Sequence, residues 1–158
     1  MTGKKRQILG ASLLIAITLV WIWGNSLLPA EASRALSGSV QDFVGQILGL
    51  PPDTGGTGEG LLRKIAHLSE FAVLGAEIAM LICLVARKAS PWVVLGLWLL
   101  CGLGAAVFDE TIQLWSPGRA AMVQDVWIDM AGFVVGGGFF LLVRELMNKL
   151  HRMRRSKK

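Results

Sequence analysis

Ionisable side chains interrupt three apolar runs of this chain in a way that could do chemistry. Lys64, His67 and Glu70 lie in one run, Asp109, Glu110 and Gln113 close a second, and Asp125 and Asp129 open a third, with Arg119 in the turn between the last two. Arg119 and Lys64 could pair phosphate or carboxylate, since arginine presents a bidentate fork. His67, Glu70 or Asp109 could serve as general acid or base, because burial and neighbouring charge tune imidazole and carboxyl groups towards neutral pH. Asp109, Asp125 and Asp129 could hold a divalent cation through oxygen. Only one histidine falls in this set, the other being His151 in the tail, which argues against zinc. No nucleophile motif or phosphate-binding loop accompanies the cluster.

Helical phase aligns these groups. Asp125, Asp129, Gly132 and Gly136 fall at i, i+4, i+7 and i+11, on one face. Gly132 and Gly136 also form a GxxxG pair, which lets another helix approach closely. Gly102, Ala106, Asp109 and Gln113 form a comparable face, and Lys64, His67 and Glu70 span roughly 120° of arc at 100° per residue. Glu110 stands about 100° from Asp109. Glu77 shares a face with Glu70 and either extends the polar track or stays protonated.

The elements that must position these groups are membrane helices. Of 158 residues, 53% are hydrophobic and 17% charged, with a mean hydropathy of +0.56. The apolar residues come in runs that reach the roughly 20 residues needed to cross a bilayer. The spacing predicts an all-α, integral membrane four-helix bundle with helices over 8–28, 61–86, 91–115 and 123–147. The first run imitates a signal peptide, ending near Ala30-Glu31-Ala32, but it exceeds the ~7–15 residues of a signal core and is expected to be retained. Ala32, Ala35, Leu36, Val40, Phe43, Val44, Ile47 and Leu48 make one apolar stripe, opposed by Arg34, Ser37, Gln41, Asp42 and Gln46. That pattern predicts an additional interfacial amphipathic helix over 31–49, too narrow to span. Pro51 to Gly60 reads as a connector, and Ser90-Pro91 as a helix start.

Basic residues gather at Lys4-Lys5-Arg6, Arg87-Lys88 and the tail 148–158. They give the net charge of +5 without a soluble domain that could bind nucleic acid. They place both termini and the 87–90 turn in the cytoplasm, and 29–60 and 116–124 outside. The polar residues of all three helices then meet near the outer surface. Short connections make helices two, three and four sequential antiparallel neighbours. Cys83 and Cys101 sit inside apolar runs and read as small hydrophobes. Arg63, Glu59 and Glu145 read as charges that reach to water and do nothing further.

The segment Lys64-Ile-Ala-His67-Leu-Ser-Glu70-Phe71-Ala-Val-Leu74 resembles the first block of the VanZ-like membrane family. Asp109-Glu110-Thr-Ile-Gln113-Leu-Trp-Ser-Pro117-Gly118-Arg119 resembles its second block, and Asp125-Val-Trp-Ile-Asp129-Met-Ala-Gly132 its third. Phe71 stands where the family pattern has Tyr, and Asp129 where it has Asn. The resemblance implies a small bacterial envelope protein in the cytoplasmic membrane. Its role would be like that of the name-giving member, which is linked to resistance to teicoplanin, a lipoglycopeptide antibiotic. It implies no particular reaction.

Three functions fit these residues. An outer pocket formed by Lys64, His67, Glu70, Asp109, Glu110, Gln113, Arg119, Asp125 and Asp129 could bind the headgroup of a lipid-linked envelope precursor or an amphiphilic antibiotic. The same groups could catalyse a reaction on a lipid-linked substrate. Glu70 and Glu77 could serve a small transporter or proton-coupled channel, for which four helices are few unless the chain forms a homo-oligomer. Membrane lipids are the expected surroundings in each case.

Overall fold

The computed structural model describes residues 3–33, 35, 38, 39, 57–86 and 88–156. Helix α1 spans Gly3–Ser26, α3 Thr57–Val85, α4 Pro91–Gln113 and α5 Val123–Ser156. Between α1 and α3 a short helix, α2, starts at Ala30, and its described residues reach position 39. Among the described residues, four helices are long and apolar enough to cross a membrane: Gly3–Ser26, Leu62–Val85, Pro91–Gln113 and Val123–Arg155. Leu13, Val20, Val135 and Leu142 remain exposed on the outside of the bundle, where lipid tails as apolar as leucine cover them.

The extra helix expected between the first two spans is present. Its opening turn is fixed by Ser33 N–H donating to the Pro29 carbonyl at 3.0 Å, and Ser39 Oγ donates to the Ala35 carbonyl at 2.9 Å. Most of the expected apolar stripe and its polar opposite face lie outside the described residues. Helix α3 begins at Thr57, so it takes in the last residues of the expected connector. Helix α5 does not stop at Met147 but continues to Ser156. No glycine or proline follows Gly138, and the Lys, Leu, Met and Arg residues there are strong helix formers. Ser90 and Pro91 open α4 as expected, although the Ser90 side chain makes no capping hydrogen bond.

Helices α3 and α5 make the most intimate contact in the bundle. Glycines create it. A Cβ on Gly132 would collide with the Leu68 carbonyl, one on Gly136 with the Ala72 carbonyl, and one on Gly75 with the Phe133 carbonyl. The pairing advances along both chains together, so α3 and α5 run parallel. The short α3–α4 turn therefore makes α4 the next helix in sequence without making it the principal neighbour of α3. Phe133 fills the space beside Gly75 and Gly102, and its ring lies 4.9 Å from that of Trp98. Trp98 Nε1–H donates to the Gly75 carbonyl at 3.2 Å, which satisfies its one polar atom. Phe71, Leu74, Ile22 and Ala106 complete the core. Phe71 is fully buried among apolar side chains, and it brings no hydroxyl that would need a partner.

At one end of the bundle the α1–α2 junction docks on the α4–α5 turn. Ser116 Oγ donates to the Ser26 carbonyl at 2.8 Å, and Ala30 N–H donates to the Pro117 carbonyl at 3.1 Å. Gly118 has a φ of 76°, a backbone region that a residue with Cβ enters only with strain, so this turn needs glycine. Cys83 and Cys101 are free thiols.

The glycine contacts give a direct expectation. Gly132→Ala or Gly136→Ala should force α3 and α5 apart and destabilise the fold by about 1–3 kcal/mol, the usual cost of overpacking. Gly138→Ala should be neutral, because nothing lies within 4 Å of a Cβ there. Reversible unfolding in mixed micelles distinguishes these cases, and equal stability of all three variants would refute the packing described.

Candidate functional site

Three helices bring His67, Asp109 and Asp129 together. His67 Nδ1 lies 3.4 Å from Asp129 Oδ1 and 3.7 Å from Asp109 Oδ2. The glycine contact explains the meeting of α3 and α5: with Gly132 against Leu68, Asp129, one turn before Gly132, comes beside His67, the residue before Leu68. Asp109 comes from α4, on the buried face that also holds Gly102, Ala106 and Gln113, as the phase analysis predicts. Asp109 and Asp129 are both 0% exposed.

Gln113 joins two carboxylates. Its Nε2 donates to Asp109 Oδ2 at 3.1 Å and to Glu110 Oε1 at 3.0 Å. Glu110 Oε2 accepts from Met122 N–H at 2.8 Å, tying the end of α4 to the approach to α5. Glu110 is therefore an anchoring group, buried despite its offset from Asp109.

Other expected members are placed differently. Asp125 pairs with Arg63, whose Nη2 lies 3.2 Å from Asp125 Oδ2. The expectation that Arg63 is only a water-seeking charge is thus overturned, and of the aspartates expected as a cation set Asp109 and Asp129 gather with a histidine. In that set His67 replaces Asp125, and the ligand atoms of His67, Asp109 and Asp129 all lie within 4.8 Å of one another. Lys64 lines a small crevice with His67, Asp125 and Asp129 but forms no ion pair among the described residues. Glu70 turns to α1, where Oε1 accepts from Trp21 Nε1 and Asn25 Nδ2, each at 2.9 Å. Glu77 also faces α1, accepting from Thr18 Oγ1 at 3.1 Å.

A cavity of about 360 Å³ opens between α1 and α3 beside this cluster. Trp21, Leu28, Leu62 and Ile65 give it apolar walls, while Arg63, His67, Glu70 and Arg119 give it polar ones. Arg119 Nη2 donates to the Asn25 carbonyl at 3.3 Å, but its Nε and Nη1 are buried without a partner. Burial pushes the Arg119 guanidinium below its ordinary value, and the nearby Arg63 charge pushes it further. Both groups can donate to an anion: Arg119 stays charged because guanidinium is the most basic side-chain group, and Arg63 has donors beyond the one bonded to Asp125.

Sequence reasoning did not find the contribution of α1. Trp21, Asn25 and Ser26 form one side of the site, yet Asn25-Ser26 was legible only as a polar step near the end of an apolar run.

The hydrogen-bond pattern predicts that Gln113→Leu strips Asp109 and Glu110 of a shared donor and lowers stability by about 1–3 kcal/mol, the cost of leaving buried acceptors unpaired. Unfolding midpoints of the purified variant measure this, and an unchanged midpoint would mean that the shared bond contributes nothing.

Comparison with protein-family models gives a match to the one described as VanZ/LLP1, over residues 9–144. Comparisons with curated proteins and with solved structures give no match.

Proposed function

The chain belongs to the VanZ/LLP1 family of membrane proteins, and from that premise we propose that it binds the anionic headgroup of an amphiphile in the cavity between α1 and α3. The carrying observation is the arginine pair. Arg63 and Arg119 line one cavity, and Arg119 holds two buried N–H-bearing nitrogens with no acceptor. A phosphate or carboxylate between them would supply that acceptor and relieve the repulsion between the guanidinium groups. The apolar walls suit the first part of a hydrocarbon chain, and the volume falls in the range of small-molecule sites.

The charge bias of the loops supports a reading in which the cavity opens at the outer leaflet of a bacterial cytoplasmic membrane. Two ligands fit that place: a lipid-linked cell-envelope precursor and a lipoglycopeptide antibiotic of the teicoplanin type. Either would make the protein part of antibiotic resistance or envelope maintenance. A second reading, an enzyme acting on such a lipid, is favoured by His67, which lines the cavity with two carboxylates behind it. Turnover of an envelope lipid by wild type but not by His67→Ala would establish it.

Binding is tested by titrating a polyprenyl phosphate and teicoplanin, separately, into the purified protein in nanodiscs. Arg119→Ala should weaken binding of the true ligand by about tenfold or more, in line with loss of a charged hydrogen bond. Arg119→Lys should restore little, because lysine lacks the planar fork. Equal binding by wild type and Arg119→Ala would remove the proposal.

A further inference from the structure

Behind the arginine-lined cavity lies a second set of groups that anion binding does not use. Asp129 is fully buried, and its carboxylate has only His67 Nδ1 beside it, 3.4 Å from Oδ1 and poorly aligned for a hydrogen bond. Asp109 is equally buried; its Oδ1, the buried Ser26 hydroxyl beside it and His67 Nδ1 each lack a well-aligned hydrogen bond. Gln113, 1% exposed and bonded to Asp109, leaves its own Oε1 unpartnered beside them. Native interiors seldom leave so many acceptors together without a donor or an ion.

The charge count points the same way. Among the described residues, the only ion-pair partner of Asp109 and Asp129 is His67. Arg63 pairs with Asp125 through one nitrogen, and Arg119, bonded to the Asn25 carbonyl, offsets part of the Asp109 charge through space without contacting it. A protonated His67 would leave the trio with one net negative charge, away from water. A divalent cation bound to neutral imidazole and two carboxylates brings the same trio to zero. It also uses the Nδ1 lone pair, which a protonated ring lacks.

Geometry permits this. The separations of 3.4 and 3.7 Å from His67 Nδ1 to the two aspartates lie close to the ~3.4 Å edge of a tetrahedron with bonds of ~2.1 Å. All three ligand atoms fall within 4.8 Å of one another, so the two aspartates need to close by at most about 1.4 Å to reach the ~3.4 Å edge. We propose that His67, Asp109 and Asp129 form a binding site for a divalent transition cation of the zinc or manganese class. Mixed nitrogen and carboxylate ligation suits these ions better than magnesium or calcium, which prefer oxygen alone. The site stands independently of the amphiphile. Because His67 also lines the cavity, a bound ion would lie next to the place proposed for the anionic headgroup.

The test uses the full chain, without added histidines, purified in detergent and stripped with chelator. It is dialysed against Zn2+, Mn2+ or Mg2+, and bound metal is measured by elemental analysis. Wild type should retain one equivalent of Zn2+ or Mn2+. Asp129→Asn and Asp109→Asn should weaken retention by at least about tenfold, while His151→Ala, which removes the other imidazole, should retain it. Retention of neither transition ion by wild type would overturn the proposal, as would undiminished retention in Asp129→Asn. If the aspartate variants do not fold, X-ray absorption on the metal-loaded wild type decides. One imidazole with oxygen ligands supports the site, and sulfur or all-oxygen ligation overturns it.

Discussion

At Gly132 and Gly136 the backbones of α3 and α5 come so close that no Cβ would fit between them. This contact sets the rotation of each helix about its own axis and fixes their relative height. A methyl group inserted there would push the helices apart, and His67 would lose its position beside Asp129. It also explains why two helices that run in the same direction pack more closely than either does with the helix joining them. In a membrane, where burial of apolar surface drives little association, such small-residue contacts carry much of the packing. The Trp98 and Phe133 rings, seated over Gly75 and Gly102, extend the same arrangement towards α4.

The polar end of the bundle depends on that frame and works against it. Two fully buried carboxylates with incomplete hydrogen bonding are a burden on folding, since desolvation of a charged group costs several kcal/mol even after relaxation. The surrounding interactions anchor the neighbours of these groups more than the groups themselves. Arg63 holds Asp125, Met122 N–H holds Glu110, and Trp21 with Asn25 holds Glu70. What remains insufficiently paired is the His67, Asp109 and Asp129 trio and the Arg119 guanidinium. Their chemistry is complementary to ligands, a cation for the first and an anion for the second, and they lie side by side.

The crossing helices and the inward faces were legible because their signals are periodic. Asp125, Asp129, Gly132 and Gly136 share a face by arithmetic alone, and so do Gly102, Ala106, Asp109 and Gln113. The extra helix after the first span was legible too, at least where it starts. Three features were not. Helix α1 is apolar on every side, so nothing in its pattern distinguishes the face that meets Glu70 from the face that meets lipid, and Trp21 and Asn25 stayed hidden. Arg63 and Lys64 are adjacent cations with similar reach, and only the actual rotation of α3 against α5 gives Asp125 to the arginine. The same rotation puts His67, not Asp125, beside Asp109 and Asp129. Element ends also shifted, at Thr57 and beyond Met147, because helix propensity and charge at the termini override turn signals only in context.

The most direct measurement of whether the buried trio is a site or a structural ion network is the stability of an apolar replacement. The variant combining His67→Leu, Asp109→Leu and Asp129→Leu removes the trio together, so no partner is stranded. Buried ionic groups kept for function give stability back when replaced this way, often by about 1–4 kcal/mol. Reversible unfolding of the purified variant in mixed micelles should therefore show it at least as stable as wild type. A clear loss of stability would mean that the trio holds the bundle together, and would contradict its reading as a ligand site.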